Sequence, residues 1–268
     1  MNGNKVHLTG KKKVFALVGM SGCGKTFLSQ SFANKGFFHY SVDWEIANIL
    51  RPQILQSVLE KIKNQSPFFK DLHEKFAIKT ELSLTFDDLS AITSFVIPLN
   101  DKNKVKYKDL ITNQNLYKEA ELQATEKFFS TSQNAMKFYQ MQGAICDSTG
   151  SIFEIMEKNH EMIEKFKENG HVVYIKTTKK HQQTLIERSK NAIKPILYNQ
   201  GFLNKNLREY YDVNNINDNF EIDGEFFPWV FPNLLEYRQK CYEKLVLQTN
   251  GITIDAENIN EIQEIIAK

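Results

Sequence analysis

Apolar positions along this chain follow two rhythms, short continuous runs and longer helical stripes. Val14-Phe-Ala-Leu-Val18 is a continuous run of the kind that makes a strand buried on both faces. A Gly-rich turn follows, and then a helical stretch from Lys25 to about residue 34 that puts Phe27, Leu28, Ser31 and Phe32 on one side. Gly36 suits a helix stop, and Phe37 to Val42 reads as a second strand that ends at Asp43. Strand, helix and strand in this order predict an α/β domain built on a parallel sheet.

The rhythm then changes. Helical stripes cover 45–63, 67–77, 86–96 and 116–139, the last with Leu116, Ala120, Leu122, Ala124, Phe128 and Phe129 set among charges. Lys102, Lys104, Lys106 and Lys108 crowd an expected loop. The simplest organisation is an α/β core made of 1–50 and 140–268, with a helical insertion at 51–139. The core pattern resumes at Gly143-Ala-Ile-Cys146, which runs into Asp147-Ser-Thr-Gly150. A helix over 151–168, a strand over His171 to Lys176, a helix from Gln182 to Ser189, and an Asn- and Asp-rich turn region over 209–225 come next. Pro232 suits the first turn of a helix over 233–248. Gly251 to Ile254 reads as a last strand and 257–267 as a closing helix.

Composition narrows the classes. The chain has 268 residues, 34 Lys and Arg against 32 Asp and Glu, and a formal charge of +2. That near-neutral total argues against bulk nucleic-acid binding, which needs a basic face to displace counterions. No run of about 18 apolar residues predicts a membrane span. Met1 to Lys13 lacks the apolar core of a secretory signal. Cys23, Cys146 and Cys241 are odd in number and scattered, as reduced cytosolic thiols are. The expected compartment is the cytoplasm.

The chemistry concentrates at Gly19-Met-Ser-Gly-Cys-Gly-Lys-Thr26, a full G-x-x-x-x-G-K-[ST] phosphate loop between a strand and a helix. Glycines at 19, 22 and 24 let consecutive N–H groups of Gly19, Ser21, Gly22, Cys23, Gly24, Lys25, Thr26 and Phe27 turn toward an anion at the positive end of a helix. Lys25 supplies a mobile cation for the β- and γ-phosphates, and the Thr26 hydroxyl can ligate Mg²⁺. Cys23 has two readings, a variable loop side chain or a thiol activated by the helix N-terminus. The missing Asn-Lys-x-Asp pattern counts against guanine specificity.

Val14 to Asp43 resembles the P-loop small-molecule kinases, such as the shikimate, gluconate and dephospho-CoA kinases. In these a second strand ends in an acidic residue; here Asp43 stands 18 residues after Lys25. Across most of its length the chain also resembles a bacterial family described as ATPases. That likeness rests on His39-Tyr-Ser-Val-Asp43, Asp147-Ser-Thr-Gly-Ser151, Lys194-Pro195 and Trp229-Val-Phe-Pro232. The resemblance implies a three-layer α/β/α P-loop NTPase fold, with ATP and Mg²⁺ as cofactors and a small acceptor molecule. Asp43 would then orient the acceptor hydroxyl; its alternative role is to cap the next helix.

Asp147, after an apolar strand, fits the residue that steers Mg²⁺ through its water shell. Ser148, Thr149 and Gly150 form a polar turn that either contacts acceptor or caps a helix. Only four residues are Arg. Arg188 falls where such kinases begin a lid, here about 188–230, and would close over the phosphates. Arg51 falls where an acceptor's anionic group is held; a solvated helix end is the alternative. Arg238 reads as a surface ion-pair partner. Phe226, Phe227, Trp229 and Phe231 read as packing, and the histidines 39, 73, 160, 171 and 181 show no metal-ligand spacing. A phosphotransferase is the leading expectation. The rivals are an ATPase or nucleotide-dependent switch whose insertion binds a protein, and a kinase acting on RNA with the 102–108 lysines as its only support.

Overall fold

The computed structural model describes residues 14–86, 88–157, 159–193, 197–216 and 220–258. Lys194-Pro195 and most of the closing helix expected at 257–267 lie outside them.

In chain order, β1 (Val14–Val18) leads through the phosphate loop to α1 (Lys25–Ala33), β2 (Phe37–Ser41), α2 (Val42–Gln65), α3 (Pro67–Glu74), α4 (Ser90–Val96), β3 (Lys104–Lys106) and α5 (Tyr107–Phe138). Then come β4 (Gly143–Asp147), α6 (Ile152–Met156), α7 (His160–Asn169), β5 (His171–Lys176), α8 (Lys179–Ser189) and α9 (Gln200–Asn214). The chain continues with β6 (Glu221–Asp223), α10 (Phe226–Thr249), β7 (Ile252–Asp255) and a 3₁₀ turn at Ala256–Asn258.

Five strands form one parallel sheet in the order β2-β4-β1-β5-β7. The phosphate-loop strand is therefore central. Both of its faces are covered, which is why Val14 to Val18 has no polar position to alternate with. On one face Phe15, Leu17, Phe37, Ile145, Val173, Ile175 and Ile254 pack against Leu28 and Phe32 of α1. On the other, Val14, Ala16, Val18, Tyr40, Ala144, Cys146, Val172 and Tyr174 pack against a larger layer from α2, α5, α7 and α10. This is the expected three-layer α/β/α fold with a helical insertion.

Several local expectations change. The boundary at 50/51 falls inside α2, and α5 begins nine residues earlier than its clearest stripe, at Tyr107 rather than 116. From there α5 lies over β2 and β4 and forms part of the sheet's cover. The lysine segment is a short strand: β3 pairs antiparallel with β6, so Lys104 to Lys106 make a ribbon with Glu221 to Asp223. The Asn-rich 209–225 region begins inside α9, whose Asn206 and Asn214 side chains donate back to Phe202 O and Tyr210 O. The 151–168 helix is two helices, with Asn159 capping the second by accepting from Met162 N–H. α10 starts at Phe226, seven residues before the expected 233. Pro228 occupies the first turn, and Pro232 sits within the helix.

Arg238 overturns its surface assignment. It is 0% exposed and pairs with Glu154 of α6, because α10 packs on α6, α7 and β5 and buries the stripe of Leu234, Leu235, Arg238, Cys241, Tyr242 and Leu245. Among the described residues no helix is long and apolar enough to cross a membrane.

Candidate functional site

Parallel strands bring the loops after β1 and β4 to the same edge of the sheet, side by side, since β1 and β4 are neighbours. The helices after them leave on opposite faces: α1 packs on one side and α7 on the other. That divergence opens a crevice at the carboxyl ends of the strands, where open α/β sheets bind ligands.

The crevice holds a cavity of about 200 Å³ lined by Ser21, Gly22, Gly24, Lys25, Thr26, Phe27, Asp43, Asp147, Ser148 and Gly150. The backbone shows why glycine is needed in the loop. Gly22 and Gly24 have φ of 85° and 101°, in the left-handed region, and Gly19 has 146°. A Cβ on Gly19 would stand 2.7 Å from the Ile175 carbonyl oxygen. Gly24 is the N-cap of α1 and offers no side-chain cap, so the first-turn amides of that helix stay available to an anion. Lys25 folds back over the loop and donates to Gly19 O at 2.9 Å and Met20 O at 3.0 Å.

Cys23 is buried, and burial pushes its thiol up against the opposing pull of Lys25, which runs against a thiol activated by the helix N-terminus. Its backbone N–H closes a turn onto Met20 O.

Asp43 lies in the first turn of α2, two residues past the end of β2. The cap of α2 is Ser41, whose hydroxyl accepts from Trp44 N–H at 3.3 Å. Asp147 ends β4 and is buried, with Oδ2 3.8 Å from His39 Nε2. Adjacent strands β2 and β4 place that histidine beside the carboxylate, and Phe86 packs edge-on against its ring.

The turn after Asp147 is held from three directions. Ser148 Oγ donates to Leu17 O of β1 at 2.6 Å, and Tyr242 of α10 donates to Gly150 O. From α5, Glu121 bonds to Thr149 Oγ1 and to Ser151 Oγ, the latter 3.0 Å from each carboxyl oxygen. Ser148 and Gly150 therefore reach the cavity lining, whereas the Thr149 hydroxyl is engaged inside. A Cβ on Gly150 would lie 3.0 Å from Ser21 N, so the turn rests directly on the phosphate loop. Burial, with Glu154 and Asp43 adding to it against the hydroxyl bonds, raises the Glu121 carboxyl to about 8.

Arg188 lines a second cavity of about 410 Å³ that shares Ser21 and Gly22 with the first and also includes Leu185 and Phe231. Arg51 is outside both linings; its Nη2 donates to Asn48 Oδ1 at 3.0 Å. The described residues include no group of three His, Cys, Asp or Glu side chains arranged to hold a metal by themselves. Mg²⁺ does not need one, because it keeps water and phosphate ligands and takes one or two from protein. The Thr26 hydroxyl and the Asp147 carboxylate on one cavity wall fit that requirement.

Glu121 and the Arg238–Glu154 pair escape a motif-based reading, and the His39-Tyr-Ser-Val-Asp43 motif gives no hint that His39 stands beside Asp147. A signal for Glu121 and Arg238 was nevertheless present, since each interrupts an apolar helical stripe at a position where a charge has to be buried.

No protein-family model and no curated protein sequence matches this chain. Among solved structures it is similar to a shikimate kinase from Bacteroides thetaiotaomicron, at 14% identity and a TM-score of 0.41, over 95% of this chain and 98% of that one.

Proposed function

We propose that this protein is an ATP- and Mg²⁺-dependent phosphotransferase that moves the γ-phosphoryl group to a small hydroxylated or phosphorylated acceptor. The observation that carries the reading is the single cavity at the ends of β1 and β4, where Lys25, Thr26, Asp43 and Asp147 line one space. The loop amides and the N-terminus of α1 bind the phosphates. Lys25 exchanges its two carbonyl partners for phosphate oxygens and neutralises the charge that grows in transfer. Thr26 and Asp147 hold the metal, which supplies charge neutralisation on the transferring group. Asp43, exposed at the start of α2, orients the acceptor hydroxyl and takes its proton. Arg188 reaches the phosphates from the 188–230 lid. The helical segment 51–139, with Arg51, provides the acceptor side.

A second reading, an ATPase switch with a protein partner on the helical segment, draws support from the bond between Glu121 of α5 and the turn beside the phosphate loop. The two readings separate when the protein is incubated with γ-labelled ATP and a panel of metabolites. Transfer of label to an acceptor, lost in Lys25→Ala, supports the kinase. Hydrolysis that depends on Lys25 with no acceptor labelled overturns it in favour of the switch.

A further inference from the structure

We propose that Glu121 is a positioning residue for the phosphate site: from the helical segment it clamps the Ser148–Ser151 turn and so keeps Gly150 seated against the Ser21 amide. The inference rests on the reading of the loop as a nucleotide site.

The geometry is that of a clamp. Glu121 is fully buried near the middle of α5, on the stripe of Tyr117, Ala120, Ala124 and Phe128 that faces the sheet. Ser151 Oγ lies 3.0 Å from each of its oxygens and Thr149 Oγ1 bonds to one of them; in the neutral acid one carboxyl oxygen donates and the other accepts. Thr149 Oγ1 accepts in turn from the Ser151 amide at 3.2 Å. One carboxyl group thus fixes both residues flanking Gly150. Ser148 ties the start of the turn to Leu17 O and Tyr242 holds the Gly150 carbonyl, while Glu121 is what engages the Thr149 and Ser151 hydroxyls, and an unpartnered hydroxyl in this interior would be costly. Gly150 is the residue that touches the loop, and its lack of a side chain is what permits the contact. Any movement of the turn reaches Ser21 directly, and Asp147 heads the same turn.

The groups around Glu121 set its charge. Asp43 from α2, Glu154 from α6 and Tyr117 from its own helix face it, with Arg238 of α10 neutralising Glu154. The neutral acid is the form that coexists with Asp43 and a bound polyphosphate. Loss of its proton adds a buried negative charge beside both.

The test compares wild type with Glu121→Gln, Glu121→Met and the surface control Lys118→Ala on the same helix, using hydrogen exchange without ligand and titration with a fluorescent ADP. In Glu121→Met the amides of 148–151 and 20–22 are expected to exchange about tenfold faster or more, and ADP to bind about tenfold more weakly. Glu121→Gln, which keeps an acceptor and a donor, should restore both to near the wild-type values. The wild-type ADP affinity should fall as pH rises through about 8, and that inflection should vanish in Glu121→Gln. A folded Glu121→Met protein with wild-type exchange at 148–151 overturns the proposal, as does a pH inflection that persists in Glu121→Gln. If Glu121→Met does not fold, Ser151→Ala replaces it with the same two outcomes. Should wild type bind no ADP while the exchange pattern holds, the clamp stands and the nucleotide reading fails.

Discussion

Arg238 and Glu154 are in direct contact across α10 and α6: Nη2 lies 2.7 Å from Oε1, and Nε donates to the same oxygen at 2.8 Å. Arg238 also donates to Leu197 O at 2.7 Å, tying the chain entering α9 to the back of the site. Burial pushes the Glu154 carboxyl up while the guanidinium pulls it down. Removing one partner leaves the other buried and unpaired. Arg238→Met is therefore expected to destabilise the fold by about 3–5 kcal/mol in urea unfolding. Combining it with Glu154→Leu should recover part of that loss; strict additivity would show that the pair is not coupled.

Among the described residues the Lys25 ammonium donates to Gly19 O and Met20 O, both carbonyls of its own loop. Lys25→Met should accordingly leave the circular dichroism spectrum and the unfolding midpoint close to wild type, while nucleotide affinity falls by at least about tenfold, or about 1.4 kcal/mol. An unchanged affinity in an isothermal titration would remove Lys25 from the phosphate site.

Gly19 and Gly150 separate backbone strain from loop position. Gly19→Ala places a methyl 2.7 Å from a backbone oxygen that cannot move away, at a φ of 146°. It should cost more than about 1 kcal/mol of stability. Gly150→Ala meets Ser21 N at 3.0 Å and should shift the loop, weakening nucleotide binding more than it weakens the fold. Unfolding and binding measured on both variants will show whether the order is reversed.

Glu121 also predicts a pH trend in stability. Its folded value of about 8 stands above the ordinary 4.5, so between those values the folded protein holds a proton that the unfolded chain has lost. Stability from this group is full below about 4.5 and declines as pH rises toward 8. Glu121→Gln should show a flatter profile than wild type over that window, with the difference growing toward the alkaline end. Thermal unfolding across the range checks it, and parallel curves would rule it out.

All three thiols are buried, and desolvation raises each of them. Native protein should resist iodoacetamide at mildly alkaline pH and react at Cys23, Cys146 and Cys241 once denatured. Rapid native labelling of Cys23, read by mass spectrometry, would contradict the buried loop geometry.

The phosphate loop and the sheet were legible because their signals are local. Val14 to Val18 is apolar throughout, and the glycines at 19, 22 and 24 answer to backbone angles of their own residues. Helix limits were less so. Pro232 invites a helix start, yet Pro228 takes the first turn and the apolar face of Phe226, Phe227 and Phe231 carries the helix outward by packing. The Asn-rich stretch looks like turns, but it opens inside α9, where the Asn214 side chain donates to the Tyr210 carbonyl one helical turn back.

By itself, then, the sequence determined the βαβ start, the glycine-rich turn between β1 and α1 and the position of acidic residues 43 and 147 at the ends of β2 and β4, since each depends on neighbours a few positions away. Only the tertiary structure decided that Glu121 meets Thr149 and Ser151, that Arg238 lies buried against Glu154, and that His39 stands beside Asp147. These partners come from separate elements, and nothing in either local sequence states the distance between them. A buried charge is tolerated only where a partner is supplied, and that partner is fixed by how α5, α6, α10 and the sheet pack.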